Sequence, residues 1–187
     1  MAYQQIIQGC QRHERNAQRQ LFEEFNNLLM GIAMRYSKNK VQAKEIFALG
    51  FTAICEEIIE IKKDHDLEAW LRKKMIQHAV KYLRSRRQEY FITSTVHLLE
   101  EDKKAEFDLF HQHMDPDPNS ITPVQYLEAL QLLPPSFRAI FNLTVIDQFS
   151  SEDVSQMLEI SPETCRYNLS KAKETLFKNI QHLQYAA

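Results

Sequence analysis

The stretch SSEDVSQMLEISPETCRYNLSKAK, from Ser150 to Lys173, decides how the rest of the chain is read. Ser150 and Ser151, followed by Glu152 and Asp153, put hydroxyl caps and first-turn acids at a helix N-terminus, where unbonded N–H groups and the positive dipole end favour them. That helix ends near Leu158, about two turns on. Ser161-Pro162-Glu163-Thr164 then repeats the signal: a hydroxyl N-cap, a proline at the first helical position where no N–H is needed, and an acid. Cys165, Leu169, Ala172, Leu176 and Ile180 follow at steps of three and four, the apolar stripe of a longer helix. A short helix, a tight turn and a longer helix with a polar leading end form the helix-turn-helix pattern, whose second helix enters the major groove N-terminus first. Ser161, Glu163, Thr164, Arg166, Tyr167, Ser170, Lys171 and Lys173 are expected on its open side. Short helix pairs also serve purely structural roles, so this pattern alone leaves scaffolding and DNA binding both open.

Upstream, Pro123 to Leu133 carries apolar residues at Val124, Leu127, Leu130 and Leu133, and Pro134-Pro135 ends that helix. Another is expected from Phe137 to Ile146. Residues 123–187 therefore read as a four-helix module. Before it, residues 96–122 form an acidic linker in which periodicity fades and prolines appear. His111, His113 and Asp115 are the cluster nearest to a metal site. Their alternate spacing and the lack of a fourth ligand argue against one, and neither metal nor cofactor is expected.

Residues 1–95 form the other module. Leu21, Phe22, Phe25, Leu28, Leu29, Ile32, Ala33 and Tyr36 mark one helix, and Ile46, Phe47, Leu49, Phe51, Ile54, Ile58 and Ile61 a second. Gly50 lies inside the second, where it costs about 1 kcal/mol against alanine; either two helices pack closely there or the helix is interrupted. After a polar loop, Asp66 is the N-cap of a third helix running to about Arg87, with Leu67, Trp70, Leu71, Met75, Ala79, Tyr82 and Leu83 facing inward. Its opposite face holds Arg72, Lys73, Lys74, Lys81, Arg84, Arg86 and Arg87, nearly all of one sign, which points to an anionic partner over a merely solvated face.

The chain is 187 residues long with a formal charge of −2, and the charge is unevenly placed. Residues 1–95 carry 16 basic and 11 acidic side chains, residues 96–187 only 7 basic and 14 acidic. Phosphate neutralisation supplies most non-specific DNA affinity, so the first module is the better equipped and independent DNA binding by the second is disfavoured. With three glycines, and all six prolines between Pro116 and Pro162, the expected fold is all-α: two small helical domains, one of three helices and one of four, joined by a flexible linker. No segment approaches the roughly 18 apolar residues of a membrane span, the first nine residues lack a secretory signal's features, and Cys10, Cys55 and Cys165 have no paired spacing. A cytoplasmic location with reduced thiols is expected. No phosphate-cradling glycine loop, nucleophile elbow or His/Glu metal helix occurs, so the chain is not expected to be an enzyme.

Taken together, LQLLPPSFRAIF (Leu130–Phe141), DQFSSEDVS (Asp147–Ser155), LEISPETCR (Leu158–Arg166) and LSKAK (Leu169–Lys173) resemble the promoter-reading C-terminal module of extracytoplasmic-function sigma factors. LFEEF (Leu21–Phe25), Trp70-Leu71 and YLRSRR (Tyr82–Arg87) are similar to the N-terminal module of the same family. The resemblance covers roughly residues 15–92 and 123–182. It implies a specificity subunit of bacterial RNA polymerase, with core RNA polymerase and promoter DNA as partners, an anti-sigma factor as a further one, and no membrane insertion. The first module would bind the polymerase and open the minus-ten element; the second would dock on the minus-thirty-five element. Melting needs a cationic groove with stacking partners. The loop from Lys62 to Leu67 and Arg72, Lys73, Lys81, Arg84, Arg86 and Arg87 are expected to form the groove, and Tyr82, Tyr90 and Phe91 are stacking candidates, Tyr82 reading more readily as core. The polymerase-binding segment of the family corresponds to Gln42, Lys44, Glu45 and Ala48. Here the acidic pattern is reduced to Ala43 and Glu45, and Ala48 replaces the usual Gln. Ser155 stands where the turn motif prefers Ala, and Glu159 where it prefers Gly. These departures motivate an alternative: a sigma-derived protein that binds an anti-sigma factor or other regulator without promoter activity.

Overall fold

Among the described residues, which in this computed structural model are 3–61, 66–86 and 121–185, steps of three and four in the apolar residues translate into eight α-helices and no strand. They are α1 (Gln4–Gln11), α2 (Arg15–Tyr36), α3 (Lys40–Glu57), α4 (Leu67–Ser85), α5 (Pro123–Gln131), α6 (Pro135–Phe141), α7 (Ser151–Leu158) and α8 (Pro162–Tyr185). The chain divides into two compact units, Met1–Tyr82 and Leu83–Ala187. The all-helical expectation is met.

In the first unit the core is built from Leu21, Phe25, Leu29, Ile32 and Tyr36 of α2, Ala43, Ile46 and Ile54 of α3, and Leu67, Leu71, Met75 and Ala79 of α4, all buried. Where three helices were expected in this module, the described residues of the unit form four α-helices: α1 was not foreseen. It is too short for its buried positions, Ile7 and Cys10, to display a period. It lies against α2 where the chain has no side chain to spare, because a Cβ on Gly9 would sit 2.5 Å from that of Ala17. Gly50 resolves in favour of close packing, since a Cβ there would come within 2.8 Å of the Met75 sulfur on α4. Asp66 caps α4 as expected, accepting from the Glu68 amide at 3.0 Å. Trp70, expected in the core, is only half-buried, with the Lys74 ammonium 5.4 Å from its ring centre.

Lys74 does not belong to the open basic face. It reaches back across the unit to Glu57 at the end of α3 (2.6 Å), and the imidazole of His78 meets the other oxygen of that carboxylate at 3.1 Å. Burial pushes the Glu57 carboxyl up, but the Lys74 ammonium and His78 outweigh it and hold it below its ordinary value of 4.5. A carboxylate depressed in the folded state lends stability that is complete above its unfolded pKa and is lost as pH falls through the folded one. Glu57→Gln is therefore expected to flatten the acid limb of the unit's stability profile below pH 4.5. Trp70, the chain's single tryptophan, makes this measurable by fluorescence in the full-length protein. An acid limb identical to that of the unsubstituted chain would count against the ion pair.

In the second unit Thr122 and Gln125 form a capping box at the start of α5, each side chain bonding the other's backbone N–H. Pro134 and Pro135 end α5 and start α6, Pro135 occupying the first turn where its missing N–H does no harm. Helix α6 starts two residues before the expected Phe137, and its continuation, Asn142–Ile146, widens into a π-helical turn. The buried Asn142 amide donates to the Arg138 carbonyl at 2.8 Å, a side-chain bond that competes with the helical ladder. Ala129, Leu130, Leu133, Phe141, Ala172, Leu176 and Ile180 form the core, with Ile121, Tyr126, Phe137 and Leu169 packed against it. Asn179 of α8 donates to the Ala129 carbonyl of α5 at 3.1 Å. Thus α5, α6 and the rear of α8 form a platform that carries α7 and the front of α8.

Candidate nucleic-acid interface

Helix α7 starts as its sequence dictates. The Ser150 hydroxyl accepts from the Asp153 amide at 3.1 Å, and Val154 and Leu158 turn inward. It stops at Glu159, whose φ of 55° lies in the left-handed region. The chain closes there in the manner of a helix C-terminus, with the Ile160 amide donating to the Ser155 carbonyl at 3.1 Å. A residue with a Cβ pays about 1 kcal/mol for that conformation. Glu159→Gly is accordingly expected to stabilise the second unit by about 1 kcal/mol, read as a higher denaturation midpoint in far-UV circular dichroism; an unchanged or lower midpoint would show that the glutamate side chain offsets or outweighs its backbone cost.

Two residues later Ser161 caps α8, accepting from the Thr164 amide at 3.1 Å. Cys165, Asn168 and Ala172 fix the inner side of the helix, all buried. Of the expected outer residues, Ser161, Glu163, Arg166 and Lys173 are exposed, while Thr164, Tyr167, Ser170 and Lys171 are half-buried. The leading end is thus open to a groove. Its charges are partly self-compensated: Arg166 meets Glu163 at 3.1 Å, and Glu174 is held between Lys171 (3.1 Å) and Lys178 (2.6 Å). The Glu163 carboxyl is held below its ordinary range by its own backbone N–H, the Ser161 hydroxyl and Arg166. Sequence reasoning named these residues singly but missed the network joining them. The signal was there in the three-residue spacing of Ser161 to Thr164 and of Glu163 to Arg166.

On α4, Arg72, Lys73 and Lys81 are exposed and Arg84 is half-buried, and Arg86, just past its end, is exposed. Arg72 is bonded to Glu68 one turn back at 2.8 Å. Lys73 and Lys81 lie two turns apart on one side of the helix and make no ion pair with a described residue. Arg87, Tyr90, Phe91 and positions 62–65 of the expected groove lie outside the described residues, as do His111, His113 and Asp115. Tyr82 is buried, and its hydroxyl donates to the Glu45 carboxylate of α3 at 2.5 Å, so it is not presented for stacking.

On α3, Lys44, Glu45 and Ala48 are exposed, but Gln42, expected beside them at the polymerase surface, is buried. Its side-chain oxygen accepts from the Lys38 backbone N–H at 2.8 Å, while its own backbone N–H donates to the Asn39 side-chain oxygen at 3.0 Å. Gln42 is consumed in starting the helix. The structure adds Val41 and Leu49, 69% and 61% exposed, to this face, a pair that a sequence search for polar docking residues overlooks.

Among the described residues no group of three or more His, Cys, Asp or Glu is placed to hold a metal ion, and no helix is long and apolar enough to cross a membrane.

Residues 124–176 match the family described as Sigma-70, region 4. They run from α5 into α8 and include α7, the turn and α8 as far as Leu176. The comparison with curated proteins gave no match. Among solved structures, the sigma factor RpoE from Bartonella quintana, in complex with the anti-sigma factor NepR, is similar over 87% of this chain and 96% of its own, at 15% identity and a TM-score of 0.50. CnrH, in complex with the cytosolic domain of CnrY, aligns over 94% of this chain and 95% of its own at 16% identity, with a TM-score of 0.46 on which nothing rests. The C-terminal unit thus matches Sigma-70, region 4, in sequence, and the fold over most of the chain is similar to that of a solved sigma factor.

Proposed function

We propose that the chain is an alternative sigma factor that binds core bacterial RNA polymerase and directs it to particular promoters. The observation that carries this reading is the coincidence of the region 4 match with an α8 whose leading end, Ser161 to Arg166, lies open at the surface. In this reading residues 123–187 form the module that docks α8 in the major groove of the minus-thirty-five element. Residues 1–95 form the other module, and residues 96–122 the tether between them. Lys73 and Lys81, with Arg72, Arg84, Arg86 and Arg87, line the path of the opening minus-ten strand, and Lys44, Glu45 and Ala48 face the polymerase. The protein works in the cytoplasm, catalyses no reaction itself and needs no cofactor. An anti-sigma factor is a natural partner, since the similar RpoE was solved with one bound. Promoter selection in a transcription assay reconstituted from core polymerase and the purified chain tests this; unchanged promoter choice refutes it.

A second reading draws on the buried Gln42 and the self-paired cations of α8. A sigma-derived chain lacking part of the polymerase face, with little free positive charge on its groove helix, would serve as a decoy for an anti-sigma factor or another regulator. Co-purification with core polymerase separates the two, because the decoy does not bind it.

A further inference from the structure

We infer that Glu163 is a positioning residue that aims the Arg166 guanidinium at the major-groove edge of a guanine, an inference resting on the reading of α8 as the groove helix. Exposed ion pairs three residues apart on a helix are ordinarily loose and contribute little. This one is anchored at its acidic end. The Ser161 hydroxyl accepts from the Thr164 amide at 3.1 Å and lies 3.0 Å from the Thr164 hydroxyl. The Glu163 carboxylate is in turn held by Ser161 and by its own backbone N–H, and one of its oxygens meets Arg166 Nη2 at 3.1 Å. Thr164, Ser161, Glu163 and Arg166 therefore form one chain of contacts over the first turn and a half of α8.

The consequence lies in the donors that remain. A guanidinium carries five N–H donors in a rigid fork, and one suffices for Glu163. The others stay available on a side chain whose torsions are already restrained, which lowers the ordering cost on binding. Guanine is the base that offers two adjacent acceptors, N7 and O6, in the major groove; adenine and cytosine present amino donors there. A restrained arginine at the leading end of a groove helix is matched to guanine. Farther along, Lys171 is bound to Glu174 and Lys173 lies exposed, which suits backbone contacts more than base reading.

The test uses the full-length protein with core bacterial RNA polymerase and duplexes randomised over the upstream element. Selection is expected to enrich a guanine at one position. Replacing it by 7-deazaguanine, which lacks the N7 acceptor, should weaken binding about tenfold or more, and Arg166→Ala should abolish that difference. Glu163→Gln should shrink the discrimination several-fold while leaving binding to unrelated duplex equal or stronger, because a negative charge has gone. Loss by the same factor on every duplex, or a guanine preference that persists in Arg166→Ala, overturns the inference. Failure of the unsubstituted protein to enrich any sequence overturns the promoter-binding reading as well, so the two failures are told apart at the selection step.

Discussion

Arg138→Ala is expected to unfold the second unit, or to bring it close to unfolding, at a cost of about 3–5 kcal/mol. Arg138 is 1% exposed, and its Nη1 donates to the Gln131 carbonyl at 2.7 Å and the Leu133 carbonyl at 3.1 Å. Those carbonyls belong to the end of α5, where the helical ladder has run out and Pro134-Pro135 supply no N–H to replace it. Alanine leaves both acceptors buried and unmatched and a cavity the size of a long side chain. Set against a typical total of about 5–15 kcal/mol, the loss is large. Far-UV circular dichroism should lose the second unit's helices at a much lower denaturant concentration, while Trp70 fluorescence, which reports the first unit, keeps its midpoint. Arg138→Lys should recover only part of the loss, because the ammonium sits on a narrower, unbranched stem that leaves part of the space of the planar guanidinium unfilled. A denaturation curve unmoved by Arg138→Ala would mean that water caps α5 equally well.

The double substitution Lys73→Ala with Lys81→Ala carries the second large effect, on DNA and not on stability. Both side chains are exposed and lie clear of the α4 core, so the fold is expected to be unchanged. Each phosphate contact lowers the slope of log affinity against log salt by about 0.7–0.9, so losing two should reduce the slope by about 1.6 and weaken the promoter complex roughly twentyfold near 0.15 M salt. Measuring the polymerase–promoter complex across a salt series decides the matter. An unaltered slope would assign this face to solvent, as charge runs on helices commonly are.

How much of this was legible beforehand depended on whether a feature was local. The Ser150 and Ser161 caps, Pro162 at the head of α8, and Asp66 at the head of α4 were readable because capping involves residues within three or four positions of one another. The apolar stripes of α2, α4 and α8 were readable for the same reason. Short α1 was not, since it is held by its packing on α2 at Gly9 and Ala17 and too few of its positions are apolar to reveal a face. At the candidate sites, the residue types along α8 were foreseen and their mutual pairing was not. Lys74 and Gln42 were read as surface groups. One is drawn into an ion pair with Glu57 and the other into the start of α3.

Sequence alone determined that the chain is helical, that a helix-turn-helix lies near its end, and where those helices begin, because side-chain periodicity and capping chemistry act within a few residues. Tertiary structure alone decided which charges remain available. Whether Lys74 or Arg138 faces water or a buried partner turns on groups brought near by folding, Glu57 for Lys74 and the end of α5 for Arg138. An ionic or hydrogen-bonding side chain has no preferred direction until such a partner, or the cost of burying it without one, is in place.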